Sequence, residues 1–195
     1  MQEINKELLI YLNSLMENNI IEKIALIFSD TPIFFIPIFL VFMWFYYTYK
    51  KNDNEKKKDL LFIFYSAIIV IIINYIIKAF VDIDRPETVL EGVGKLLLDH
   101  IPDASFPSDH AGVGIAFLTS LFLAGYKKIG LLFLIPAIIM LISRVIVGVH
   151  WPFDIIAGTI TGLTAAFISF KLLKKCKKID SVNYFIIKVM NFLKM

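Results

Sequence analysis

An arginine, a histidine and an aspartate stand close together between residues 143 and 154, where one long apolar segment ends and another begins. If these apolar segments cross a membrane, charged groups at their ends are costly to bury and usually have a function. Pro152 favours a helix start, which places Asp154 in the first turn, where it can reach back to the ring of His150. The stretch therefore predicts a histidine oriented by a carboxylate, with the guanidinium of Arg144 about two turns before it.

A purely structural interpretation fits the same stretch. An arginine and a histidine at the membrane–water boundary can extend their polar ends to water, and an aspartate at a helix start can cap the helix. These residues alone leave both interpretations open, so the decision depends on the rest of the chain.

Two further polar clusters also lie at the ends of apolar segments. One contains Lys78 and Arg85, and the other contains Ser108 and His110. Lys78, Arg85 and Arg144 are three cations with no matching acids inside the apolar segments, and three converging cations would bind a phosphate ester. Ser108 begins a predicted helix, where a hydroxyl and backbone N–H groups can cradle an oxyanion; simple capping of that helix is equally compatible with the sequence.

The histidines complete a set of groups that can transfer a phosphoryl group. The histidine oriented by Asp154 can attack phosphorus, and another can protonate the leaving oxygen. In-line phosphoryl transfer needs mainly positioning and charge neutralisation, which these residues supply without a metal. A metal site is less favoured, because no His-rich or Cys-rich ligand spacing occurs and the cations would repel a metal ion. We therefore expect no cofactor.

The composition indicates that these clusters belong to a membrane protein. Of the 195 residues, 58% are hydrophobic and the mean hydropathy is +0.74, whereas soluble domains are about 45–50% apolar. Five apolar segments approach the roughly 20 residues with which a helix crosses a bilayer; they are 32–49, 60–81, 110–126, 129–148 and 153–173. The predicted fold is all-α, a polytopic transmembrane bundle of about five or six membrane helices.

Amphipathic segments flank the predicted bundle. Residues 9–27 have apolar and polar side chains at helical spacing and are too polar to span, so we expect them at the interface or packed on the bundle. The sequence from Ser29 to Pro32 predicts the start of the first membrane helix. The resulting regions are an N-terminal segment at 1–30, a membrane domain at 31–175 and an amphipathic tail at 176–195. Gly158 and Gly162 predict close packing of the last membrane helix.

The lysines indicate how the bundle is oriented. They cluster after the first, third and fifth apolar segments, which lie on one side if every segment spans. The positive-inside rule places that side in the cytoplasm. The three polar clusters then share the outer face of the cell membrane with His100, His110 and His150. Independent interfacial charges should occur on both faces, so this distribution favours a single site.

Other residue types narrow the function classes. The lysines do not alternate with aromatic residues as in a nucleic-acid groove, so membrane lipids are the expected partners. Cys176 is the only cysteine, which excludes an intrachain disulfide. His100 matches no motif and is expected to be solvated. Trp151 is expected to anchor the chain at the membrane interface.

Three motifs resemble the signature of the type 2 phosphatidic acid phosphatase (PAP2) superfamily, whose members are metal-independent membrane lipid phosphatases. They are Lys-x6-Arg-Pro from Lys78, Pro-Ser-x-His from Pro107, and Ser-Arg-x5-His-x3-Asp from Ser143. Their order and spacing fit over about residues 60–165, and the three together are specific. The resemblance implies that His150 is a nucleophile forming a phosphohistidine, that Asp154 orients it and that His110 is the general acid. It also implies four phosphate-binding residues: Lys78, Arg85, Ser108 and Arg144.

Asp109 points to one branch of that superfamily. Many relatives have glycine there, and the form Phe-Pro-Ser-Asp-His resembles the branch that dephosphorylates undecaprenyl diphosphate, the lipid carrier of cell-wall synthesis. We expect a polyprenyl diphosphate as substrate, although a carboxylate so near a diphosphate should repel it. A phosphatidylglycerophosphate or phosphatidate phosphatase would use the same residues. A non-enzymatic lipid transporter would explain the apolar segments but not the nucleophile, the acid and the cations.

Overall fold

Helices form almost all of the architecture in the computed structural model, which describes residues 2–90, 95 and 104–193. No strand occurs among these residues, and the predicted all-α class is confirmed. The helices are α1 (Gln2–Ser14), α2 (Asn19–Tyr46), α3 (Asn54–Lys78), α4 (Pro86–Val89), α5 (Asp109–Leu123), α6 (Lys127–Ile146), α7 (Pro152–Phe167) and α8 (Lys177–Phe192). His100 lies outside the described residues.

Among the described residues, four helical segments are long and apolar enough to cross a membrane, which makes the chain a multi-pass membrane protein. They are Asn19–Lys51, Asn54–Lys78, Lys127–Ile146 and Pro152–Lys175, the first and last including short irregular turns after α2 and α7. The third predicted segment forms α5, which has 15 residues. A helix of that length falls short of the roughly 20 residues that span a bilayer core.

The start of the first membrane helix was predicted at the wrong place. Residues from Ser29 to Pro32 lie inside α2, which begins at Asn19. The side chain of Asn18 caps this helix by accepting hydrogen bonds from the backbone N–H groups of Ile20 and Ile21, so the break in the chain falls at Asn18. Part of the amphipathic segment is thus continuous with the membrane helix.

The remainder of the amphipathic segment, α1, packs on the bundle. Leu9 is buried against Trp151 and Val145, and the side chain of Asn13 donates a hydrogen bond to the carbonyl of Ile146 at 2.7 Å. These contacts place α1 against the end of α6 and the turn that follows it.

The lysine-rich links after α2, α5 and α7 meet at the end of the bundle opposite the end of α6, as predicted. The Lys56 ammonium lies 3.4 Å from the carbonyl oxygen of Ala124 and 3.3 Å from Asp59. Lys174 lies 2.6 Å from the same carboxylate. These contacts join the links after α2, α5 and α7, whereas Lys78 and Arg144 lie in the last turns of α3 and α6, away from that end.

Helices α5 and α7 pack backbone to backbone, which confirms the predicted role of Gly158 and Gly162. A β-carbon on Gly158 would overlap the carbonyl oxygen of Ser108, and one on Gly162 would overlap that of Gly112. The first of these contacts fixes the beginning of α5 against the first turns of α7.

Replacing Gly158 with alanine should therefore destabilise the protein, because the added methyl group meets a backbone atom that cannot turn aside. We expect a loss of about 1–3 kcal/mol, measured as thermal unfolding of the detergent-solubilised protein. Gly114→Ala is the matched control, because its β-carbon would meet only the flexible end of Met140. Equal unfolding temperatures for the two variants would contradict the packing argument.

Candidate active site

The seven predicted site residues lie at one end of the bundle. Each comes from the end of a helix or from a connection beside it: Lys78 from α3, Arg85 from the link before α4, Ser108 and His110 from the start of α5, Arg144 from α6, His150 from the following turn and Asp154 from α7. Hydrogen bonds between these elements, described below, show that the structure brings the three motifs together.

After α6, a glycine with left-handed backbone angles turns the chain back toward the last turn of that helix. Gly148 has φ +78°, a conformation that glycine adopts without strain. Beyond it, the backbone N–H groups of Val149 and His150 donate to the carbonyl of Arg144 at 3.2 and 3.3 Å. This is a C-terminal cap of the kind that glycine permits. The cap places His150 beside the last turn of α6.

Asp154 lies beside the ring of His150, and its role in orienting that ring stays a prediction. One carboxylate oxygen lies 3.4 Å from His150 Nδ1 and accepts the backbone N–H of Trp151 at 2.8 Å. Both side chains are almost fully buried. A carboxylate at Nδ1 favours the tautomer with its proton there, which leaves the Nε2 lone pair free to attack an electrophile.

The surroundings of His150 keep its ring neutral. Burial lowers the pKa of His150 well below its usual value of 6.5, and the positive charges of Arg144 and Arg85 lower it further. Only the neutral imidazole has the lone pair that a nucleophile needs. Burial and the two nearby cations together favour the neutral ring, the form that could act as a nucleophile.

Arg85 connects the first motif to the turn that holds the histidine. Its Nη1 donates to the carbonyl of Val149 at 2.9 Å. Trp151 makes a second link, since its indole N–H donates to the carbonyl of Asp84 at 2.8 Å. The prediction that Trp151 is an interfacial anchor is wrong, because its side chain is buried against Leu9 and neighbouring residues.

Ser108 begins α5, and its contacts join α5 to α7. Its hydroxyl caps the helix by accepting the N–H of Ala111 at 3.5 Å, and its own N–H donates to the carbonyl of Asp154 at 3.1 Å. The side chain is fully buried. The capping interpretation is thus present in the structure, and phosphate binding by the same residue remains a prediction.

Asp109 pairs with the lysine of the first motif. Its carboxylate lies 2.7 Å from the Lys78 ammonium and accepts a hydrogen bond from the side chain of Asn74 at 2.9 Å. This pairing accounts for a carboxylate beside the predicted phosphate site, because Asp109 orients Lys78 and its negative charge is compensated.

Asp30 is a site residue that the sequence analysis missed. One of its carboxylate oxygens lies 2.9 Å from His110 Nε2 and also accepts a hydrogen bond from Arg144 Nη1. The expectation of no matching acid inside the apolar helices is therefore wrong for Arg144, because Asp30 lies inside α2. The partner of Lys78, Asp109, lies at the start of α5, outside the predicted apolar segment. The signal was available, since a carboxylate in an apolar membrane helix is itself unusual, but Asp30 was interpreted as part of a helix start.

Comparisons with known proteins agree with the motifs. The family model described as PAP2 superfamily matches residues 59–178. The chain is 42% identical over 88 residues to the bacitracin transport permease protein BcrC of Bacillus licheniformis, a match that covers 44% of this chain and 41% of that protein. It is 40% identical over 70 residues to the undecaprenyl-diphosphatase of Sulfolobus acidocaldarius, with 36% of this chain and 34% of that protein covered. The chain thus spans less than half the length of these curated relatives.

A solved structure shows that the likeness in fold extends over most of the chain. Aquifex aeolicus LpxE matches with a TM-score of 0.63 and 23% identity, over 85% of this chain and 93% of its own. The match includes more of the chain than the family model does.

The buried neutral His150 should make folding stability depend on pH. In the unfolded chain its ring binds a proton below about pH 6.5, whereas burial prevents protonation in the folded protein. The unfolded state then binds more protons, so stability falls as the pH decreases through 6.5. Between pH 7.5 and 5.5 this residue should contribute a loss of about 1.4 kcal/mol, which His150→Gln should lack. Thermal unfolding at both pH values measures the difference, and parallel losses in the two proteins would contradict the assignment.

Proposed function

The chain belongs to the PAP2 superfamily, and on that premise we propose that it is a membrane lipid phosphatase that hydrolyses undecaprenyl diphosphate to the monophosphate and phosphate. The observation that carries the proposal is a buried, neutral His150 oriented by Asp154 where residues of all three motifs meet. Helix capping and the extension of charged side chains to water would explain each residue separately. They do not explain why a buried, neutral histidine lies among cations.

The reaction proceeds in two steps through a covalent intermediate. His150 Nε2 attacks the terminal phosphorus, and the bond from phosphorus to the bridging oxygen breaks. His110 donates a proton to that oxygen, and the lipid monophosphate leaves. Water then attacks the phosphohistidine and gives its proton to His110, and the bond from Nε2 to phosphorus breaks to release phosphate.

The remaining residues stabilise charge during both steps. Lys78, Arg85 and Arg144 bind the phosphoryl oxygens, and the start of α5 at Ser108 supplies hydroxyl and N–H donors. Asp154 stabilises the positive charge that develops on the ring of His150 as the new bond forms.

One observation favours a polyprenyl diphosphate over other lipid phosphates, and a second removes an objection to that substrate. A relative that matches over part of the chain carries the name undecaprenyl-diphosphatase. In addition, Asp109 is paired with Lys78, so the carboxylate that distinguishes the Phe-Pro-Ser-Asp-His motif does not face the substrate as an uncompensated charge. A phosphatidylglycerophosphate or phosphatidate phosphatase is the alternative that the same mechanism allows.

We place the site on the outer face of the cell membrane. The lysine-rich links meet at the end of the bundle opposite the site, and the positive-inside rule assigns that end to the cytoplasm. An outward-facing site suits a carrier lipid that is released outside after it has delivered its glycan.

The division of the chain into three regions, with boundaries at residues 30/31 and 175/176, also stays a proposal.

Phosphate release from undecaprenyl diphosphate in excess EDTA tests the proposal. We expect turnover by the detergent-purified wild type and a loss of at least about 1,000-fold in His150→Ala, because the nucleophile is removed. An unchanged unfolding profile of the variant would show that the loss is chemical.

The same assay with phosphatidylglycerophosphate separates the alternatives. Preferential cleavage of the glycerolipid would overturn the proposed substrate but keep the mechanism. Full activity of His150→Ala would refute the assignment of His150 as the nucleophile. The absence of phosphate release from every lipid tested would refute the proposed phosphatase activity.

A further inference from the structure

Asp30 lies next to the site but outside everything that identified the site. It belongs to α2, whereas the three motifs begin at Lys78 and the family match begins at residue 59. Its carboxylate nevertheless contacts His110 and Arg144. An element beyond the matched region thus contributes an anion to the centre of the predicted phosphate site.

One oxygen of Asp30 makes both contacts. Oδ1 lies 2.9 Å from His110 Nε2 and accepts a hydrogen bond from Arg144 Nη1. In the proposed mechanism these two donors serve a substrate phosphate: one protonates the leaving oxygen and the other binds a phosphoryl oxygen. A carboxylate oxygen and a phosphate oxygen accept hydrogen bonds from the same donors with similar geometry.

Burial explains why such a carboxylate is needed. The Arg144 side chain is 1% exposed, and a buried guanidinium is costly unless an anion is close. Asp30 is 39% exposed and therefore lies on the open side of Arg144. The hydroxyl of Ser29 donates to the other carboxylate oxygen, Oδ2, at 3.2 Å, which holds the carboxylate in this orientation.

We propose that Asp30 is a resident anion of the phosphate site, which occupies the place of a phosphate oxygen on Arg144 and His110 and competes with phosphate for them. The inference rests on the proposed function, since it assumes that these residues bind phosphate. It adds to that function a residue that weakens the binding of phosphate.

Competition of this kind favours release of the product. As inorganic phosphate leaves, the carboxylate returns to the two donors, Arg144 and His110. The lipid substrate compensates for the competition with the apolar contacts of its chain, which free phosphate lacks. The same competition therefore leaves the lipid substrate bound, while it promotes the release of inorganic phosphate.

A carboxylate that merely positioned its neighbours would have the opposite effect. If Asp30 held Arg144 and His110 in a geometry required for phosphate, its removal would disorder them and weaken phosphate binding. The sign of the change in phosphate affinity therefore separates the two roles.

Calorimetric titration of the purified protein with inorganic phosphate measures this sign. We expect Asp30→Asn to bind phosphate about tenfold more tightly than wild type, because one competing unit charge near the ligand has been removed. Asp59→Asn is the matched control. It likewise removes a carboxylate that is paired with two basic side chains, here Lys56 and Lys174, but at the opposite end of the bundle. Its phosphate affinity should equal that of wild type.

Phosphate affinity that is unchanged or weaker in Asp30→Asn would overturn the inference, and so would the absence of phosphate binding in every variant. Asp30→Ser is measured alongside, with both variants purified in phosphate and then dialysed, so that an unstable Asp30→Asn protein does not prevent the test. The titration needs no turnover. Lipid hydrolysis by wild type is assayed separately, so failure of the proposed function and failure of this inference give different results.

Discussion

Positive charge buried at the end of an apolar helix bundle is the constraint on which the rest of the site depends. A guanidinium or ammonium group in such a place needs an oxygen atom close to it. Arg144 contacts Asp30, Arg85 contacts the carbonyl of Val149, and Lys78 contacts Asp109. Each contact joins two different elements, so the same interactions that compensate the cations also hold the motifs together.

A second constraint is that the helix ends that carry the site residues must lie close together, and two glycines of the backbone allow this. The contact between Gly158 and the carbonyl of Ser108 brings the start of α5 against α7, and the left-handed Gly148 returns the chain so that His150 lies beside Arg144. Neither glycine has a side chain that could take part in chemistry. Their contribution is to bring the start of α5, the end of α6 and the start of α7 close together.

The features that could be predicted from the sequence are those determined over short distances. Pro152 fixes the start of α7, and the interval of four residues between His150 and Asp154 is one helical turn, so their pairing follows from local geometry. The membrane class and the shared end of the lysine-rich links follow from composition and from the alternation of apolar segments.

Features that depend on contacts between distant segments could not be predicted in this way. Asp30 and Arg144 are 114 residues apart in the chain, and nothing in the local pattern around Asp30 indicates that partner. The start of α2 was misplaced because a Ser-Asp-Thr-Pro sequence favours a helix start in isolation, whereas the cap at Asn18 determines it here. Trp151 was misassigned for a similar reason, because its burial depends on packing by α1.

The proposed function depends most on a covalent bond between His150 and phosphorus. The most direct measurement is rapid quenching of wild-type protein with undecaprenyl diphosphate labelled in its terminal phosphate, under alkaline conditions that preserve phosphohistidine, followed by mass spectrometry of the labelled peptide. The proposed mechanism predicts a phosphoryl group on His150 that disappears in step with phosphate release. A label on His110, or turnover without any covalent label, would contradict it.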